Sequence, residues 1–81
     1  MAVKEVIIYS TPTCVYCKMA KEFFQKHDVS YQEYNVSTDL EKRGEMFNKS
    51  HQMGVPVIDI GGEIFVGFNR PDIEKALGIQ R

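Results

Sequence analysis

The chain has 81 residues, 26% of them charged and 43% hydrophobic, with a formal net charge of −1. That length allows a single domain, taken as residues 1–81. The near-neutral charge excludes the basic footprint of a nucleic-acid binder, and no apolar run is long enough to span a membrane.

Val3 to Tyr9, rich in β-branched and apolar residues, predicts a buried first strand. Ser10-Thr11-Pro12-Thr13 is a loop. From Cys14 to about His27 the period lengthens. Cys17, Ala20 and Phe24 recur at i, i+3 and i+7, beside a second row of Tyr16, Met19 and Phe23. This pattern is an amphipathic helix with Lys18, Lys21, Glu22 and Gln25 toward water. Asp28-Val29-Ser30 breaks it, and Tyr31 to Val36 alternates as a second strand. Thr38-Asp39-Leu40-Glu41 matches a capping box opening a second helix to about Ser50, with Leu40, Met46 and Phe47 on its buried side. Val55 to Ile60 is a third strand, Gly61-Gly62 a hairpin turn, and Glu63 to Val66 the returning strand. After the loop Gly67-Phe68-Asn69-Arg70, Pro71 and Gly78 bracket a last helix containing Ile73 and Leu77. The order is βαβαββα. A right-handed crossover makes the first two strands parallel and the hairpin makes the last two antiparallel. The expected class is α/β, a four-stranded mixed sheet with three helices on its faces.

The chemistry lies in the run Cys14-Val15-Tyr16-Cys17, which holds both cysteines of the chain. A disulfide between them closes almost no loop and adds little stability, which argues for a reactive pair in a reducing compartment. The N-terminal Met1-Ala2-Val3-Lys4-Glu5 has no secretory pattern, so a cytoplasmic location is expected. Cys14 falls where the first helix begins. Unpartnered backbone N–H groups and the helix dipole there favour a thiolate, with Lys18 one turn on adding to the effect. Cys14 is therefore the expected attacking sulfur. Cys17, on the inward row, is the expected resolving sulfur, which attacks Cys14 once Cys14 holds a mixed disulfide. Structural zinc wants four ligands, and these cysteines give two. His27 at a helix end and His51 in a loop read as solvated or capping residues, so no metal is expected.

The runs Ile7 to Lys21 and Gly54-Val55-Pro56-Val57-Ile58-Asp59-Ile60-Gly61-Gly62 resemble glutaredoxins and their small relatives in the thioredoxin superfamily. The resemblance covers nearly the whole chain. It implies a thioredoxin-like fold and a dithiol–disulfide oxidoreductase acting on protein disulfides or mixed disulfides. It also implies a cis bond before Pro56, backbone contacts to substrate from Val55, and Tyr16 beside the sulfur. No tightly bound cofactor is expected, and glutathione is a candidate co-substrate. Partners implied are a disulfide-containing protein and either glutathione or thioredoxin reductase as reductant; nucleic acid and membrane are not, and a monomer is expected. Glutathione-using members usually have lysine near Thr11, threonine at Gly54, and Gly followed by an acidic pair after the last strand. Here Gly67-Phe68-Asn69-Arg70-Pro71-Asp72 is similar instead to the Gly-Phe-Arg-Pro-Asp run of redoxins that serve ribonucleotide reductase, with Asn69 extra. Gly67 and Phe68 thus join the candidate substrate-binding residues, with Phe68 as an apolar contact. The other use of the same cysteines is a metal-handling or iron–sulfur carrier module. Pro12, where copper chaperones place methionine, and the bulky Val15-Tyr16 pair argue against it.

Overall fold

The computed structural model describes residues 5–52 and 54–78. Its elements are β1 (Val6–Ser10), α1 (Val15–Lys26), β2 (Gln32–Asn35), α2 (Leu40–Ser50), β3 (Val57–Ile60), β4 (Glu63–Val66) and α3 (Arg70–Leu77). The sheet runs β2-β1-β3-β4, with β1 and β2 parallel and the other two pairings antiparallel. This is the expected mixed sheet of four strands with three helices. Val3 and Lys4, expected in the first strand, lie outside the described residues.

Strand alternation divides the core in two, because successive side chains on a strand point to opposite faces. Ile8 stands opposite Ile58 and Val6 opposite Ile60. These four pack with Ala20, Phe23 and Phe24 of α1 and Ile73 of α3. The intervening residues Tyr9 and Val57 face the other way, where they meet Val36 and Met46 of α2. The i, i+3, i+7 row of α1 is buried throughout: Cys17, Ala20 and Phe24. Full burial of a side chain such as Phe24 stabilises the fold by roughly 1.5–3 kcal/mol.

The hairpin needs its glycines. Gly61 and Gly62 both have positive φ, 59° and 97°, which a type I′ turn requires of its two central residues. The Gly62 N–H donates to Asp59 Oδ1 at 2.8 Å, which ties the turn to the strand before it. α3 ends at Gly78, whose φ of 74° gives the left-handed cap expected there.

Four expectations shift. α2 opens one residue later than the capping-box match implies. Asp39 is the N-cap, its carboxylate accepting from Lys42 N–H at 3.1 Å, while Thr38 turns back to the Asn35 carbonyl. Of the three residues expected to bury α2, only Met46 does so; Leu40 is 70% and Phe47 44% exposed. The helix meets the sheet through charged side chains instead, as described below. Val55 and Pro56 precede β3 rather than belonging to it, since a proline nitrogen has no hydrogen to donate to a ladder. α3 begins at Arg70, one residue before Pro71.

On the α2 face, Lys49 Nζ donates to Asp59 Oδ2 at 2.7 Å and to the Tyr9 hydroxyl at 2.8 Å. The Tyr9 hydroxyl donates in turn to Glu45, which also pairs with Lys42 at 3.1 Å. Asp59 and Tyr9 are buried, so this chain of contacts partners polar groups that would otherwise be stranded.

Candidate functional site

The site is built where β1 hands over to α1. Cys14 is the N-cap of α1, with extended backbone, and the Cys17 N–H donates to Cys14 Sγ at 3.1 Å. The sulfur thus takes the place that an oxygen of serine or aspartate usually fills at a helix start. It meets one of the N–H groups that the helix itself leaves unpartnered, so negative charge on it is stabilised by a direct hydrogen bond. Thr11 closes the loop behind it, its carbonyl accepting from Cys14 N–H at 3.3 Å. No acidic residue stands in the first turn of α1.

Both thiols are free. Cys14 is partly exposed and Cys17 is 1% exposed. Burial first, and then its hydrogen bond to Cys14, hold the Cys17 thiol well above the ordinary thiol range. The Thr11 backbone and the Lys21 ammonium pull the other way. Lys18, expected to favour a thiolate at Cys14, is exposed; the cation that bears on Cys17 is Lys21. Lys21 is itself held 2.7 Å from Glu33 of β2, and Glu33 also accepts from the Ser10 hydroxyl at 2.8 Å. That contact pushes Lys21 up and Glu33 down from their ordinary values.

Next to the pair lies an open groove of about 700 Å³. It brings together Tyr16, Val55, Pro56, Gly67 and Phe68, all five residues that the sequence offered for substrate binding. The Val55–Pro56 peptide bond is cis. Pro56 is buried and its carbonyl accepts from Gly67 N–H at 2.7 Å, which joins the two loops that form one wall. Gly67 has φ 80°, a left-handed conformation that lets the chain leave β4 and turn along the groove. Phe68 packs on Phe23 with ring centroids 5.7 Å apart, so it both fills the loop and faces the groove.

The sequence reading missed Met19, Val66, Asn69, Arg70 and Pro71, which also line this groove. Met19 had a visible signal. It shares the Tyr16 and Phe23 row of α1, and both it and Tyr16 are left exposed at the helix start. Among the described residues no group of three or more His, Cys, Asp or Glu is arranged to hold a metal ion. No helix among them is long and apolar enough to cross a membrane.

A Cys-X-X-Cys pair opening a helix, on a mixed sheet of this order and in a chain matched by the glutaredoxin family, defines the class: a thiol–disulfide oxidoreductase with the thioredoxin-like fold. The chain belongs to the glutaredoxin family, whose model, described as Glutaredoxin, matches residues 6–66. It is 47% identical over 70 residues to a glutaredoxin-like 8.6 kDa protein of the rubredoxin operon in Clostridium pasteurianum, covering 86% of this chain and 93% of that one. Among solved structures it is similar to the thioredoxin-like protein BC3987, with a TM-score of 0.84 and 28% identity, covering 89% of this chain and 99% of that one. It is also similar to the glutaredoxin-like NrdH-redoxin of Escherichia coli, described as having a thioredoxin-like activity profile. There the TM-score is 0.78 and the identity 25%, over 90% of this chain and 93% of that one.

Proposed function

We propose that the chain reduces disulfides of proteins, with Cys14 as nucleophile and Cys17 as resolving cysteine. The observation that carries this reading is the hydrogen bond from Cys17 N–H to Cys14 Sγ, with the Cys17 thiol buried behind it. The Cys14 thiolate attacks one sulfur of the substrate disulfide. A bond forms between Cys14 and that sulfur, the substrate S–S bond breaks, and the departing thiolate takes a proton. Cys17 then gives up its proton and attacks Cys14 Sγ. The Cys14–Cys17 disulfide forms, and the second substrate sulfur leaves as a thiol. Two electrons and two protons have passed to the substrate.

The environment of Cys17 times the second step. Before attack, burial and the hydrogen bond to Cys14 keep its proton in place. Once Cys14 is in a mixed disulfide its charge is gone, and the influence of Thr11 and Lys21 on Cys17 is no longer opposed from that side. Tyr16, Val55, Pro56, Gly67 and Phe68 receive the substrate. Val55 has no backbone partner among the described residues, which suits it to pair with an extended chain.

The electrons return to the pair from thioredoxin reductase rather than glutathione. The groove lining has no carboxylate for the ammonium group of glutathione, and a similar redoxin has a thioredoxin-like profile. The protein acts as a monomer in the reducing cytoplasm, where a free dithiol is kept reduced. The test is turnover of a protein disulfide by wild type, Cys14→Ser and Cys17→Ser. Loss in Cys14→Ser, with single-step mixed-disulfide formation kept in Cys17→Ser, is expected. Full activity in Cys14→Ser overturns the assignment. Offering the oxidised protein to glutathione and to thioredoxin reductase separately decides the reductant.

A further inference from the structure

The groove beside Tyr16 is largely apolar and ends at one cation. We infer that Arg70 is a specificity-determining residue, favouring protein disulfides whose extended chain carries a carboxylate about three residues from the attacked cysteine. This rests on the reading above, with Cys14 as the attacking sulfur and the groove as the substrate site.

Arg70 is the first residue of α3, and Pro71 after it restricts its backbone. Its guanidinium carbon lies 5.4 Å from the centroid of the Phe23 ring. Its Nε donates to Glu74 Oε2 at 3.3 Å. These two contacts hold the side chain, which is 46% exposed, in one place. Only Nε is used, so the Nη hydrogens have no partner among the described residues. A planar guanidinium with open donors on one edge suits a carboxylate.

The charges around the guanidinium are close to balanced, and the groove itself adds no acid. Glu74 cancels part of the charge, but no Asp or Glu lines the groove. A smaller neighbouring hollow of about 210 Å³ shares Met19, Phe68 and Arg70, and its other ionisable residues are Glu22 and Lys26. With Glu74 counted, two acids face two bases there, so a carboxylate is drawn by the open Nη donors of the guanidinium and not by a net field. A substrate carboxylate therefore meets donors it can accept from, and a lysine ammonium, itself a donor, does not.

The helix sets the spacing. Tyr16, Met19 and Phe23 follow one side of α1, and the rise from Tyr16 to Phe23 is about 10 Å at 1.5 Å per residue. An extended peptide covers that in about three residues at roughly 3.3 Å each. A chain whose attacked cysteine lies at the level of Tyr16, beside the Cys14–Cys17 pair, and runs along this row brings its third neighbour to the level of Phe23, over which Arg70 sits.

The experiment uses the whole protein and short peptides whose single cysteine is joined to thionitrobenzoate. Attack on the peptide sulfur releases the coloured thiol. Peptides carry Glu, Gln or Lys either one or three residues from the cysteine. Pre-reduced wild type is expected to show a single-turnover second-order rate constant for release of the coloured thiol about two- to fivefold higher for Glu than for Gln at the third position, shrinking with salt, and no such ratio at the first. Arg70→Gln brings the ratio to about one. Arg70→Glu reverses it in favour of Lys, a rescue that a purely structural role of Arg70 does not produce. Equal rates for Glu and Gln at both positions in wild type overturn the inference, whatever the variants do. A Glu preference that survives in Arg70→Gln overturns it too. If wild type releases no thiol from any peptide, or Cys14→Ser still releases it, the underlying reading falls and the inference with it.

Discussion

The two faces of the sheet are held by different physics. On the α1 and α3 face, Val6, Ile8, Ile58 and Ile60 meet Ala20, Phe23, Phe24 and Ile73 in an apolar layer. On the α2 face the same two central strands present Tyr9 and Asp59, which are tied to Glu45 and Lys49. Apolar packing is non-directional and tolerates small shifts, whereas charged hydrogen bonds fix geometry. The apolar face carries the chemistry. Its helix α1 opens at Cys14, and its Phe23 supports both Phe68 and Arg70 of the groove. The polar face fixes the hairpin, since Asp59 binds Lys49 through one oxygen and Gly62 N–H through the other. The groove thus rests on packing, and the register of the strands beneath it is fixed from behind.

If that division is right, the largest stability change comes from the apolar face. Phe24→Ala empties a fully buried position and is expected to cost about 3–5 kcal/mol, read as a lower urea midpoint at unchanged slope. A loss under about 1 kcal/mol would mean that this layer is not the main support. The next effect comes from behind the sheet. Lys49→Met leaves the buried Asp59 carboxylate with only Gly62 and takes a partner from Tyr9, at an expected cost of about 1–3 kcal/mol. Disulfide turnover at 25 °C should stay within about twofold of wild type, because Lys49 touches neither cysteine nor groove. A large fall in turnover with little change in stability would break the comparison, linking the polar face to the chemistry.

The apolar face was the legible one. The i, i+3, i+7 row of Cys17, Ala20 and Phe24 announces its burial in one short stretch, and the structure buries all three. The strand alternation and Gly61-Gly62 likewise give the sheet, because each is a local signal. The polar face was misread for the opposite reason. Tyr9 and Lys49 are 40 positions apart, and no local pattern says that a lysine on a helix will turn inward to an aspartate on a strand. Leu40 and Phe47 were expected inward on hydrophobicity alone, but Lys49 and Glu45 reach the sheet instead. The groove shows a third case. Tyr16, Val55, Pro56, Gly67 and Phe68 came from motifs at three places in the chain, and their meeting depends on topology. Arg70 was visible as part of its loop, but its position over Phe23 arises only when α3 packs on α1.

Acid separates the two faces most finely, although its expected effect is the smallest. The hydrogen bond from the Tyr9 hydroxyl, and then that from Lys42, hold Glu45 below the ordinary carboxylate range. A carboxylate lowered in the folded state adds stability above its unfolded value of about 4.3, and that stability is lost as pH falls through the folded value. Tyr9→Phe removes the main cause and the buried hydroxyl together, so at pH 7 it is expected to cost about 1 kcal/mol. As pH falls below the unfolded carboxylate value, the advantage that the Tyr9 hydrogen bond gives to ionised Glu45 fades, and the gap should narrow. The deficit of Phe24→Ala has no titrating partner and should hold steady over the same range. Urea midpoints of the three proteins at pH 7, 5, 4 and 3 make the measurement. A Tyr9→Phe deficit as constant as that of Phe24→Ala would show that the Tyr9 hydroxyl does not act through ionised Glu45, and that the two faces differ less in kind than their contacts indicate.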